Sequence, residues 1–324
     1  MFGYIVRRAL YAIPVLIGVN LITFMLFFVV NTPDDIARMQ LGAKRVTPEA
    51  IQAWKINHGY DLPYLYNADE DGMSTVTDTL FFQKSVKVMA FDFGTSDAGR
   101  SISADIRERM GPSLALALPT LIVGMLVNIT FGLLLVFFRA TAIDWGGVVL
   151  CVVLMSISSL FYIIAGQFVA GKLMNLVPIS GFNAGWDMLK FLVLPVIIGI
   201  VGGIGAGSRW YRTIFVEEFG KDYVRTARAK GLSDLRILFV HVLKNGMIPI
   251  LTGVVVLLPL LFMGSLIMES FFGIPGLGSY TIEAINNQDF AIVRAMVFLG
   301  SVLYILGLLL TDISYTLFDP RIRL

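Results

Sequence analysis

The sequence predicts an all-α membrane protein with six transmembrane helices and one large loop between the first two. Three observations carry that expectation. Apolar residues make up 56% of the chain and charged residues 15%, and the mean hydropathy of +0.79 lies far from soluble usage. The apolar residues gather into six runs, each near the ~20 residues that cross hydrocarbon as a helix. None alternates with period two as barrel strands do, and a lipid-facing backbone must satisfy its hydrogen bonds within its own segment. In a chain of 324 residues this leaves one sizeable loop and no room for a catalytic domain, so a single membrane domain is expected.

Taken in order, the first span is expected at 9–30. Arg7 and Arg8 precede it as in a signal peptide, but it ends in Asn31-Thr32-Pro33-Asp34-Asp35 without a small-x-small cleavage site, so it reads as an uncleaved helix. Residues 31–112 form the large loop. Its Trp54, Tyr60, Leu62, Tyr64, Phe81, Phe82, Phe91 and Phe93 predict a small folded cap rather than a disordered linker. Further spans follow at 113–138, 145–169 and 189–206, then a basic loop at 207–246, and two more spans at 247–268 and 292–310. Cys151, alone in the third span, excludes an intrachain disulfide.

Orientation follows from the basic residues of the short loops, which collect on the cytoplasmic side. With the N-terminus inside, that side holds Arg7, Arg8, Arg139, Arg209, Arg212, Lys221, Arg225, Arg228, Lys230, Arg236, Lys244, Arg321 and Arg323; the other holds only Lys172, Lys190 and Arg294. Both termini and the 207–246 loop are therefore expected in the cytoplasm, with 31–112 outside.

Catalysis is not expected. The two histidines, His58 and His241, fall on opposite sides of the membrane in this topology, so neither a His-pair metal site nor a Ser/His/Asp triad can form. A net charge of +2 gives no reason to expect nucleic acid. Gly166 to Leu173 has phosphate-loop spacing, but Leu173 stands where a magnesium-binding hydroxyl belongs and the segment ends a membrane helix. Gly203 to Gly207 lacks the strand and acidic partner of a dinucleotide site. Gly199, Gly203 and Gly207 recur every fourth residue instead, a face on which another helix can approach closely.

The basic loop carries more order than topology needs. Asp222 to Lys230 contains no helix breaker and sets Ala227 and Ala229 among long charged side chains, so a short helix with a low-profile patch is expected, ended by Gly231 as a left-handed cap. Near the outer end of the fifth span, Glu269 precedes a Gly- and Pro-bearing stretch containing Pro275 and Gly276, which makes these three candidates for gating. Asp312 in the last span reads as structural rather than as a substrate contact.

At the basic loop the chain resembles the permease subunits of bacterial ABC importers, in the dipeptide, oligopeptide and nickel branch. Against that family's coupling signature, Ala227 aligns with the second alanine, Gly231 with the glycine and Leu243 with the leucine. Arg225, Thr226, His241 and Lys244 depart from it. The run Asp222-Tyr223-Val224-Arg225-Thr226-Ala227-Arg228-Ala229-Lys230-Gly231-Leu232 looks like the peptide-branch version. Tyr4 to Arg8, Phe91 to Ser96, Val177 to Phe182, Glu269-Ser270-Phe271, Gly276-Leu277-Gly278 and Phe318 to Arg323 match in the same order along the chain.

The resemblance implies a type I importer permease in the bacterial inner membrane, paired with a second, homologous permease. It implies two ATPase subunits that bind ATP and magnesium, this chain holding no cofactor of its own, and an extracytoplasmic substrate-binding protein, for which Glu269, Pro275 and Gly276 are candidate contacts. It places the coupling contact on Asp222, Arg225, Thr226, Ala227, Arg228, Ala229, Lys230 and Gly231, with Ala227 and Gly231 setting the fit. A peptide is the expected cargo, with nickel or another small solute as the alternative. A secondary transporter driven by an ion gradient, or a scaffold that moves nothing, are the rival classes.

Overall fold

The computed structural model describes residues 2–42 and 46–318, and these are mostly helical; residues 319–324, with Arg321 and Arg323, lie outside the described residues. Among the described residues, five helices are long and apolar enough to cross a membrane, and a sharply bent pair makes a sixth span. The chain divides into two compact units, one of Met1–Arg109 with Tyr280–Leu309, the other built mainly from Met110–Ser279.

In the first unit α1 (Phe2–Phe24) runs on through a π turn at Met25–Val30. Thr32 stops it and starts α2 (Pro33–Leu41): its hydroxyl accepts from the Asp35 N–H, the Asp35 carboxylate reaches back to the Thr32 N–H, and Pro33 occupies a position whose N–H would go unused. Thr47 and Pro48 start α3 (Pro48–His58) in the same way, and Gly59 ends it at φ +64°. Short helices α4 (Ser74–Thr77) and α5 (Lys87–Met89) follow. Trp54, Tyr60 and Leu80 close with Phe24, Phe28, Ile36 and Ile51 into one apolar core, with Leu62 and Phe81 packed against it. The 31–112 segment is thus folded, although Tyr64 and Phe91 stand exposed.

Helix α6 (Ile102–Phe137) begins eleven residues before the expected 113, because Asp105, Arg107, Glu108 and Arg109 in its first turns read as loop on a hydropathy scale. Its 36 residues rise about 54 Å, well beyond the ~30 Å of hydrocarbon.

The third span corrects the expectation of one helix over 145–169. It consists of α7 (Ala142–Ser156) and α8 (Ser159–Gly166), the latter extended by a π turn to Leu173, and the two halves bend by 87°. Ile157 and Ser158 are extended there, and the Tyr162 hydroxyl caps the freed Leu154 carbonyl at 2.9 Å.

Helix α9 (Met188–Phe219) continues well past the expected end at 206. After α10 (Asp222–Ala229), the fifth span is composite: α11 (Asp234–Ile237), a π turn at Leu238–Val242, α12 (Leu243–Val255) and a 3₁₀ turn at Pro259–Met263. The expected 247–268 helix does not form. Gly264 turns the chain at φ +70° and α13 (Leu266–Phe272) starts afresh from a Ser265 cap. Helices α14 (Leu277–Asn286) and α15 (Phe290–Phe318) complete the fold. Large apolar side chains such as Leu10, Ile22, Val149, Phe161 and Val193 stand exposed, which suits hydrocarbon as solvent.

Candidate functional site

Helix α10 stands on a base built by its neighbours. Its two inward side chains, Val224 and Ala227, lie three residues apart and so share one helix face. They are buried with Phe215 and Tyr211 of α9, Ile237, Leu238 and Val242, and Ile129, Leu133 and Val136 of α6. Burying an aliphatic side chain of this size stabilises by about 1.5–3 kcal/mol, so this contact, rather than the propensity of an eight-residue helix, holds α10 in place.

Polar links fix the same position. Tyr223 Oη donates to Glu218 Oε2 at 2.8 Å, and Arg228 Nε donates to Asp234 Oδ1 at 2.9 Å while its guanidinium lies 4.7 Å from the Phe219 ring. The helix closes as expected: Gly231 sits at φ +79° and its N–H reaches the Arg228 carbonyl at 2.9 Å, with Leu232 N–H on the Ala227 carbonyl. Behind it, Arg212 of α9 grips Asp144 of α7 with two hydrogen bonds of 2.8 Å, and the Ala140 N–H adds a third contact to that carboxylate.

What faces outward is therefore Asp222, Arg225, Thr226, Arg228, Ala229, Lys230 and Gly231. Ala227 does not belong to that face. Its methyl lies in the chain's own core, and the small side chain on the outward face is Ala229.

The glycine stripe divides. A side chain at Gly199 would meet Thr120 Cγ2 at 2.8 Å, and one at Gly207 would run into the Asn128 amide, so these two do pack closely against α6. Gly203 does not; nothing lies within 4 Å of the position its Cβ would take. The close approach that sequence reasoning missed is Gly205, which would meet the Cys151 carbonyl at 2.5 Å and brings α9 against α7.

Glu269 is fully buried, at 0% exposure. Its Oε1 accepts from Ser113 Oγ at 2.8 Å and from the Ser265 N–H at 3.0 Å, and Oε2 accepts from the Ser279 N–H at 3.0 Å. Ser113 Oγ in turn accepts the Leu277 N–H at 2.8 Å, while the Ser279 hydroxyl closes the Ile274–Gly276 turn. Burial pushes the Glu269 carboxyl above the usual range, and the donors around it pull the other way. Side chains at Gly264 or Gly276 would collide with this carboxylate and with Ser113. Glu269 and Gly276 are buried within the chain, and of the three candidates only Pro275 is exposed. Ser113, Ser265 and Ser279 were not singled out from sequence, since three of the four bonds to the glutamate and its serine come from main-chain N–H groups with no side-chain signature.

The family described as "Binding-protein-dependent transport system inner membrane component" matches residues 113–324, and its N-terminal companion, "Binding-prot-dependent transport system membrane comp, N-term", matches residues 1–117. The chain belongs to this family. It is accordingly a multi-pass inner-membrane permease that works with other subunits of an ABC transporter. It is similar to the dipeptide transport system permease protein DppB of Bacillus subtilis, with 30% identity over 100% of this chain and 99% of that one. The oligopeptide transport system permease protein AppB of the same organism is 27% identical over 100% of both. The glutathione transport system permease protein GsiC of Salmonella choleraesuis is 29% identical over 100% of this chain and 99% of its own length. The family membership spans both the α10 base and the Glu269 knot.

Proposed function

We propose that the chain is the transmembrane subunit of an ATP-driven importer of short peptides, forming half of the pathway with a second, homologous permease. Two ATP-binding cassette subunits bind ATP and magnesium on the cytoplasmic side, and a substrate-binding protein delivers cargo on the other; both termini and α10 face the cytoplasm, and residues 31–112 lie outside. Relatives named for dipeptide, oligopeptide and glutathione transport along their full length support a peptide over nickel.

The observation that carries the coupling role is the two-sided build of α10: Val224 and Ala227 are anchored in the chain's own core, while Arg225, Thr226, Ala229 and Lys230 are left outward. A motor shifts a conformational equilibrium only through a contact that differs between states, and a helix fixed beneath and free above transmits that difference to α9 and α6. Gly231 shapes the end of the helix by its backbone, because its left-handed φ is strained for any side chain.

The test uses Ala229→Glu and Arg225→Glu in the reconstituted transporter. Each should cut ATP-dependent dipeptide uptake at least tenfold while leaving the purified chain as heat-resistant as before. A cysteine at position 229, in a Cys151→Ser background, should cross-link to an ATPase subunit. Normal uptake by both variants, or a cross-link only to the extracytoplasmic protein, would refute the assignment. Uptake of nickel but not of dipeptide would overturn the cargo alone.

A further inference from the structure

Within the first unit, residues 59–95 and the start of α15 enclose a cavity of about 290 Å³. Its charged lining is three cations, Lys84, Lys87 and Arg294, against Asp92 alone. Arg294 is only 6% exposed. Its Nε donates to the Phe290 carbonyl at 3.2 Å and its Nη1 to the Lys84 carbonyl at 3.4 Å, and the guanidinium lies 4.6 Å from the Phe28 ring. Lys84 Nζ donates to the His58 carbonyl at 2.8 Å and sits 4.8 Å from the Tyr60 ring.

Carbonyls and rings hold these cations in place, while Asp97 and Asp289 act on Arg294, and Asp97 on Lys84, only through space. Among the described residues no ion pair joins Lys84, Lys87 or Arg294 to a carboxylate. The three acids nearest the cavity spend their hydrogen bonds on neutral donors: Asp92 accepts the Gly94 N–H, Asp97 accepts Gln40 Nε2, and Asp289 accepts the N–H groups of Asp97 and Ile292. A buried charge is costly unless an opposite charge or a ligand completes it, and a nearly buried arginine at the head of a membrane helix marks a functional site by default.

We propose that this cavity binds the free carboxylate of a short peptide, with the Arg294 guanidinium and the Lys84 and Lys87 ammonium groups as its donors. A guanidinium fork beside two ammonium groups suits an oxyanion. The cavity is at the small end for ligand pockets, room for a carboxylate and the residue that bears it, with Leu62, Val88 and Phe93 as apolar lining. The peptide as source of the carboxylate rests on the import reading above; the anion site itself does not.

The experiment places the full chain, with the transporter subunits that co-purify, in nanodiscs of zwitterionic lipid and measures equilibrium binding of tritiated dialanine. Dialanine amide should compete at least tenfold more weakly than unlabelled dialanine, and acetate should compete. Lys87→Gln and Arg294→Gln should each weaken dialanine binding tenfold or more, with Arg294→Lys intermediate. The Lys87 side chain is half-buried and, among the described residues, has no hydrogen-bond or ion-pair partner, so its variant tests the site even if Arg294→Gln fails to fold. Equal competition by the amide, or unchanged affinity in Lys87→Gln, overturns the proposal. So does protection of Lys87 from acylation by phosphatidylglycerol in the disc without dialanine binding, which would assign the cavity to a lipid phosphate. ATP-dependent dipeptide uptake, measured on the same wild-type complex, separates the two ideas: uptake without cavity binding sinks only the site, and absent uptake sinks the import reading.

Discussion

The Glu269 knot and the Arg294 cavity hold buried charge in opposite ways. Glu269 has no counter-ion, yet both of its oxygens are met by the chain's own donors, and glycines at 264 and 276 leave no space beside them. Arg294 is held by two carbonyls and a ring beside an open cavity whose other cations, Lys84 and Lys87, likewise make no ion pair among the described residues. A charge whose partners are all internal is part of the scaffold; one that faces space with like charges is waiting for something from outside.

That contrast is broken or sharpened most by Glu269→Ala. Removing the carboxylate orphans the Ser113 hydroxyl and the Ser265 and Ser279 N–H groups, each worth about 1–3 kcal/mol when buried unmade, so a loss of about 3–5 kcal/mol is expected, read as thermal unfolding of the purified chain. Arg294→Met should cost less, about 1 kcal/mol or nothing, because an apolar side chain there removes a buried charge that no carboxylate pairs directly. A loss as large as that of Glu269→Ala would mean that the arginine is scaffold too, and the contrast would fail.

Acid–base behaviour gives a smaller effect. Burial and the neighbouring Arg294 charge lower the Lys84 ammonium to about 8, against 10.5 for a free lysine. The folded chain then releases this proton first, so the unfolded chain binds more protons between those two values and stability rises with pH across that window. Lys84→Met should flatten the rise, seen as the difference between the two proteins' unfolding curves from pH 7.5 to 10; identical slopes would place the ammonium in water. The smallest effect is expected at Arg225. Its pair with Asp222 spans 3.3 Å with the two side chains 79% and 94% exposed, and such pairs contribute at most about 1 kcal/mol. Arg225→Ala should leave the unfolding temperature where it was.

Much of the architecture was legible because hydrophobic runs and breakers are local signals. The position of α10 and its end at Gly231 came from one uninterrupted stretch and one glycine. The bend of the third span was not legible, since Ser156-Ile157-Ser158 contains neither proline nor glycine and its apolar run is continuous. Gly264 broke the fifth span for the converse reason: a lone glycine among Leu, Phe and Met reads as helix until its φ is known. Side-chain direction was the other loss. Ala227 and Ala229 look alike in sequence, and only the base beneath α10 decides that one is inside; Gly203 and Gly205 differ only in which neighbouring helix passes close. The Glu269 partners come from Ser113, 156 residues away, and from main-chain groups.

The bent third span has a consequence for how the protein is made. Its α7 half, 15 residues long, rises about 22 Å, short of the hydrocarbon thickness, and its α8 half turns away at 87°. Neither piece alone covers that thickness as a straight upright helix. The hairpin with α9, closed where Gly205 admits the Cys151 carbonyl and where Arg212 clasps Asp144, is therefore expected to settle in lipid as one unit, and Gly205→Leu should show first as a loss of membrane-inserted protein, measured as its steady-state amount against wild type.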